Sequence, residues 1–297
     1  MSKRTLAILA AIGATTIYGL NHTIAKGVMP FYVEPYGFIF LRVLGAAVLF
    51  WLLSFFVPKE KIVKKDWGRL AVCATLGACV NMLAFFKGLS LSTPINSSVL
   101  VTTTPIMVIV LSALLIKEKI TLQKATGILI GFIGAVTLIV FGAEVRQDAP
   151  NIPLGNLLFI VNSICYGTYL ILIKKMIEKY HPFTVLKWLF TLGVLLTFPV
   201  AYAQVEAIMW SKIPIDIVGS ILFVVVGTTF LTYLFNVFAL TQLKASTVSA
   251  FVYLQPLIGI LFAVFTGKDS LTTLKIVATI LVLTGIYLAS KRPKPSL

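Results

Sequence analysis

Long apolar runs alternate with short polar joints along the whole chain. The runs are about 20 residues long, the length at which an α-helix crosses the hydrocarbon of a bilayer. They predict ten spans: Thr5 to Ala25, Pro35 to Val57, Trp67 to Ser90, Pro94 to Ile116, Leu122 to Gly142, Pro153 to Ile173, Phe183 to Ala203, Pro214 to Leu240, Ala245 to Thr266 and Leu271 to Ser290. Pro35, Pro94, Pro153, Pro182 and Pro214 mark starts, because the N–H that proline lacks has no partner in a first turn anyway. Pro105 and Pro256 fall inside spans four and nine. Each frees the carbonyl four residues earlier, on Val101 and Val252, so the two read as paired kinks and candidate hinges.

A duplication orders these runs. The stretch KEKITLQKATGILIGFIGAV from Lys117 returns from Lys268 as KDSLTTLKIVATILVLTGIY, a spacing of 151 residues. The same spacing pairs Leu89 with Leu240, Ser98 with Ser249, and Pro105 with Pro256. Two halves follow, residues 1–143 and 144–297, with five spans in each. Five is odd, so the second copy enters the membrane from the opposite side. The predicted fold class is an all-α polytopic membrane protein of ten transmembrane helices, arranged as two inverted five-helix repeats in one unit.

Composition narrows the class. At 59% hydrophobic and 12% charged the chain lies far from soluble domains, which carry about 25% charged residues. The formal charge of +15 does not point to nucleic acid, since the basic residues sit in short clusters between apolar runs. Lys3, Arg4, Lys59, Lys61, Lys64, Lys65, Lys117, Lys119, Lys174, Lys175, Lys291 and Arg292 gather on one side, which places both termini in the cytoplasm. Lys3 and Arg4 before an apolar run resemble a cleaved leader, but Ile17-Tyr18-Gly19 is echoed by Cys165-Tyr166-Gly167 in span six, the mark of a retained helix. Cys73, Cys79 and Cys165 lie within spans as small apolar residues. With two histidines, no HExxH and no GxSxG, nothing points to hydrolysis, a metal site or a cofactor.

Polar stripes supply the candidate chemistry. Asn162, Tyr166 and Tyr169 share one face of span six at helical spacing. Span one offers Thr15, Tyr18 and His22, with Asn21 beside them; span three offers Asn81 and Phe85. Span eight gives Thr232 and Asn236 at the same offset, with Tyr233 adjacent. Spans four and nine add Ser98 and Thr102, and Ser249, Tyr253 and Gln255. Any one of these could be packing glue between helices; the set argues for a shared cavity. His22 titrates nearest neutrality, but without a deep Asp or Glu to complete a relay it reads as a hydrogen-bonded wall residue. Lys87 either draws an anionic group of a solute or snorkels outward, the second being favoured. Arg42 reads as structural, paired with backbone carbonyls, and Lys187 as a snorkelling residue. Gly127, Gly131 and Gly134 form a GxxxG-like seam for packing spans five and ten, with a homodimer as the sharper alternative.

The run Glu118, Lys119, Ile120, Thr121, Leu122, Gln123, behind a mid-helix proline and ahead of the spaced glycines, resembles the EamA-like family of the drug/metabolite transporter superfamily. The second copy departs at Asp269, Leu274 and Ala278. The resemblance covers the whole chain and implies ten spans, a cavity walled by helices one, three, four, six, eight and nine, and movement of amino acids, other metabolites or drugs, often outward. The expected function is therefore alternating-access transport of a small organic solute, and not catalysis, in a bacterial cytoplasmic membrane. The expected partners are the solute and the bilayer. A non-transporting scaffold or a scramblase-like protein is the alternative.

Overall fold

The computed structural model of the chain describes residues 1–57, 59–92, 100–142, 151–265 and 272–290. Among these the regular structure is helical, with no strand. The first helix, α1 (Lys3–Val28), starts at Ser2, whose hydroxyl accepts the Thr5 N–H at 3.1 Å, a common way of satisfying a first-turn donor. There follow α2 (Pro35–Leu53), α3 (Lys64–Leu91), α4 (Thr104–Ile116) and α5 (Leu122–Gly142). In the second half come α6 (Ile152–Ile177), α7 (Pro182–Glu206) and α8 (Ile215–Gln242). The ninth helix, α9, is broken into Ala245–Ala250 and Leu254–Phe265; α10 is Thr273–Ser290. Prolines stand in the first turns of α2, α6 and α7. Pro94 lies outside the described residues, as do Ser98 and the second hinge up to Leu271.

Five stretches, Pro35–Phe56, Lys64–Leu91, Ile152–Ile177, Pro182–Glu206 and Ile215–Gln242, are long and apolar enough to cross a bilayer by length and composition. Outward-facing Leu44, Val48, Leu195 and Phe198 are well exposed, as suits a surface solvated by lipid rather than water.

The helices are not uniform, and their irregularities recur. A π-helical segment, Thr75–Val80, interrupts α3, and another, Phe223–Leu231, interrupts α8. Moved by the repeat spacing, the first falls inside the second. The chain before α4 makes a turn at Thr102 and Thr103, with the Thr103 N–H on the Leu100 carbonyl at 3.1 Å, and Pro105 sits in the first turn that follows. In α9 a 3-10 turn, Phe251–Tyr253, comes just before Pro256. Both mid-span prolines thus stand beside a broken helical ladder.

Packing is chiefly across the halves. α1 lies on α8 and α3 on α6; α1 also meets α9, and α6 meets α4; α2 pairs with α7 and α5 with α10. The last two pairs run antiparallel. Near the start of α2, the Tyr36 and Gly37 N–H groups bond to Gln204 Oε1 at the end of α7, at 2.7 and 3.0 Å. Gln123 at the start of α5 donates to the Leu288 carbonyl near the end of α10 at 3.2 Å. Glycine makes the α5–α10 contact possible: a Cβ on Gly285 would lie 2.4 Å from the Gly131 nitrogen and 2.6 Å from the Gly127 oxygen. The glycine seam is therefore filled within the chain, so any second copy would have to dock elsewhere.

One end of the bundle is tied by charge. Arg4 donates to the Ser290 carbonyl, joining the first and last helices. Lys117 ends α4 in the left-handed conformation (φ 51°), and the Glu118 that follows is nearly sealed, with Lys124 Nζ at 3.2 Å, Lys244 Nζ at 3.4 Å and the Ser246 hydroxyl at 3.0 Å. Lys174 donates to the carbonyls of Leu240 (2.7 Å) and Leu243 (2.8 Å), meeting the acceptors that a helix C-terminus leaves open.

Candidate binding cavity

Between the two sets of helices lies a cavity of about 110 Å³. A single water needs only about 10–15 Å³ on this measure, so there is room for several waters or part of an organic solute. Its wall draws on α1 (Thr15, Tyr18, Asn21), α2 (Arg42), α3 (Asn81, Met82, Phe85, Phe86), the break before α4 (Val101) with α4 itself (Thr104), α6 (Asn162, Tyr166), α8 (Tyr233, Asn236) and α9 (Val248, Ser249, Val252, Gln255). The stripes on spans one, three, six, eight and nine thus meet in one space.

Many of the polar groups are tied to one another across the halves. Asn81 Nδ2 donates to the Asn162 carbonyl at 3.3 Å, and Asn162 Nδ2 donates back to the Asn81 carbonyl at 3.0 Å. The Thr228 hydroxyl donates to Asn21 Oδ1 at 3.0 Å, and within the second half Asn236 Nδ2 donates to the Tyr166 hydroxyl at 3.1 Å. Tyr233 donates to the Gly77 carbonyl, in the π segment of α3 where the backbone ladder is disturbed. These bonds fix the wall. Aromatic residues and Arg42 line the same space.

Other predicted residues stand off the wall. Tyr169 is fully buried against Gly77, where a Cβ would come 2.3 Å from its ring. Tyr253 is fully buried against Gly131 of α5. Thr232 is buried and donates to the Thr228 carbonyl, and Thr102 is buried in the turn before α4. Lys87 is exposed and not part of the wall. Lys187 places its ammonium 4.5 Å from the centroid of the Trp51 ring. The side chain of His22 lies outside the described residues. Pro105 and Pro256 adjoin the broken segments on either side of the cavity.

Arg42 differs most from its sequence reading. It bonds no backbone carbonyl among the described residues. Its Nε donates to Thr229 Oγ1 at 3.0 Å and its guanidinium carbon lies 5.0 Å from the Phe86 centroid. Sequence alone gave it a place in span two but not the rotation of that helix, which is set by α7 and the π segment of α8. Met82, Phe86 and Thr104 were missed for the same reason. Apolar residues carry no signal that separates a wall from a core, and Thr104, bonded to Ser163 at 3.0 Å, resembles any hydroxyl near a proline.

A helical chain with apolar outer faces, and a cavity of mixed polar and apolar lining between two interlocked sets of helices, is that of a membrane carrier. The EamA-like transporter family model matches it twice, over residues 5–140 and 153–291, and the chain belongs to that family, as a multi-pass membrane protein and a transporter rather than an enzyme. It is 22% identical over 280 residues to the transporter YyaM of Bacillus subtilis (strain 168), covering 94% of this chain and 92% of that one. A transporter of Archaeoglobus fulgidus is 26% identical over 267 residues, with 90% of each covered. A solved crystal structure superposes with a TM-score of 0.77 at 15% identity, covering 96% of this chain and 97% of that one, a likeness in fold.

Proposed function

We propose that the protein is a secondary transporter of ten spans in two inverted repeats, moving a small organic solute, an amino acid or related metabolite, by alternating access, and outward in the cell. The observation that carries this reading is the cavity wall, which sets polar side chains from both halves among apolar ones and is flanked on both sides by interrupted helices. Interrupted helices beside a central site are the parts that such carriers use to rock one set of helices against the other. Pro105 and Pro256 are the hinges in this reading. Tyr18, Asn21, Asn81, Phe85, Asn162, Tyr166, Tyr233, Asn236 and Gln255 face the solute, while Thr102, Tyr169, Thr232 and Tyr253 support them from behind. The basic clusters support an orientation with both termini in the cytoplasm, and the Bacillus relative supports a bacterial inner membrane.

The test is solute flux in proteoliposomes, joined to cysteine accessibility. With Cys73, Cys79 and Cys165 replaced by serine, a cysteine at Tyr166 or Asn236 is expected to react with a membrane-impermeant thiol reagent from either side of the membrane, and a transported solute to slow the reaction. Protection from both sides, with no flux over a broad metabolite panel, would instead describe a non-transporting scaffold or a scramblase-like protein.

A further inference from the structure

We infer that Arg42 is the anchor for a carboxylate, so that the solute is an organic acid or a zwitterion with an apolar or aromatic body; the inference rests on the transporter reading only for the meaning of the cavity. Arg42 is 4% exposed and belongs to the cavity wall. Its Nε is held by Thr229, and that hydroxyl gives its own proton to the Val224 carbonyl at 2.9 Å, five residues back along the π segment of α8. Thr229 is therefore an acceptor that fixes the guanidinium without filling its outer edge. The two terminal nitrogens have no hydrogen-bond acceptor among the described residues. Nor are they sealed in protein, since the buried side-chain atoms without a partner among the described residues are the hydroxyls of Ser112, Tyr169 and Tyr253. They open on the cavity.

That leaves a positive charge without a counter-charge. No Asp or Glu lines the cavity among the described residues, and the Phe86 ring and one hydroxyl neutralise a buried guanidinium only in part. A carboxylate supplies what is missing, because its two oxygens match the planar fork of arginine with parallel hydrogen bonds. The rest of the wall fits the rest of such a molecule: Met82, Phe85, Val101 and Val252 are apolar, and Tyr18, Tyr166 and Tyr233 are aromatic. One charge suits a monoanionic group. An organic cation would meet repulsion from Arg42 with no carboxylate to offset it.

A purely structural arginine is a poor alternative. Counting from Pro35 and Pro182, which open the two equivalent helices, Leu189 stands where Arg42 stands; counting by the repeat spacing, Ala78 stands where Thr229 does. Both counterparts are fully buried. The same helix pairing is thus made without charge on the other side of the molecule, so packing does not call for the Arg42–Thr229 pair.

The purified protein would be titrated with matched ligands on two bodies: phenylalanine and leucine, the corresponding acids lacking the amine, the amines lacking the carboxyl, and the primary amides of the acids. The same radiolabelled compounds would be followed into proteoliposomes. Amino acids or acids are expected to bind about tenfold or more tightly than amines and amides of the same body. Arg42→Gln removes that preference, Arg42→Lys keeps part of it, and Thr229→Val, which keeps the charge but loses its support, weakens it several-fold, while the ligand-free variants melt close to wild type. Equal binding of amides or amines, binding of no carboxylate, or a preference untouched in Arg42→Gln overturns the inference. Flux of all classes alike would overturn it and leave transport standing. Carboxylate binding through Arg42 with no flux of any compound would uphold the anchor and overturn transport.

Discussion

Asn81 and Asn162 each donate an amide N–H to the other's backbone carbonyl; Asn21 is bonded across the halves to Thr228, and Asn236 within the second half to Tyr166. In lipid an amide needs a partner, and these side chains find partners in the wall before any solute arrives. Glu118 is the same principle with charge. Burial pulls its carboxyl toward a higher pKa, but Lys124, the Ser246 hydroxyl and Lys244 outweigh this and hold it below the usual carboxylate range. A carboxyl whose folded pKa is depressed stabilises the fold fully above its unfolded value, about 4.3 for Glu, and that stabilisation is lost as pH falls through the folded value. The melting temperature in detergent should thus be insensitive to this group from pH 7 to 5 and fall below pH 4.3. In Glu118→Gln that part of the acid slope should vanish, with a loss at neutral pH of about 1.5–3 kcal/mol from the broken charged hydrogen bonds. An unchanged acid slope in the variant would show that Glu118 carries no such linkage.

At the scale of the helix, α5 and α10 touch backbone to backbone through Gly127, Gly131 and Gly285. Gly285→Ala would push a methyl against backbone atoms of α5 that cannot rotate away. A loss of about 1–3 kcal/mol is expected, read as a lower melting temperature or a lower yield from membranes. Gly68→Ala, on an open face of α3 with nothing within 4 Å, should be neutral or stabilising by up to about 1 kcal/mol, as a helical glycine gains from a Cβ; equal effects at the two sites would dismiss the close-contact account. The seam was legible in sequence because glycine spacing is itself the signal. The prolines were legible too, since a missing N–H leaves a mark that can be read. The π segments of α3 and α8 were not: a wider turn needs no special residue, and Thr75–Val80 reads as ordinary apolar helix. Those segments set the rotation of the halves of α3 and α8, so the inward turn of Phe86 and the placement of Thr229 against Arg42 were hidden with them. Tyr169 and Tyr253 share a stripe with true wall residues, and period alone does not separate the wall from the layer behind it.

For the molecule as a whole, the prominent helix pairs join residues 1–143 to residues 144–297: α1 to α8, α3 to α6, α2 to α7, α5 to α10. The halves are units of sequence, but the buried faces are shared between them. Either half expressed alone should expose the faces that the other covers, and fail to be recovered from membranes in a monodisperse form. Co-expressed halves, split between 140 and 153, should copurify and give the thermal transition of the intact chain. A single half that is stable and monodisperse would contradict this interlocking. The contrast between Arg42 and Leu189 bears on descent. On the inverted-repeat reading, an ancestral half-length chain could cover its faces only with a second, upside-down copy of itself, and any arginine in it would have lined the cavity twice. On the same reading, fusion into one gene would lift that constraint, so that one helix could bring a charge to the cavity while its twin kept a buried leucine, and such a cavity could begin to tell the ends of a cargo apart.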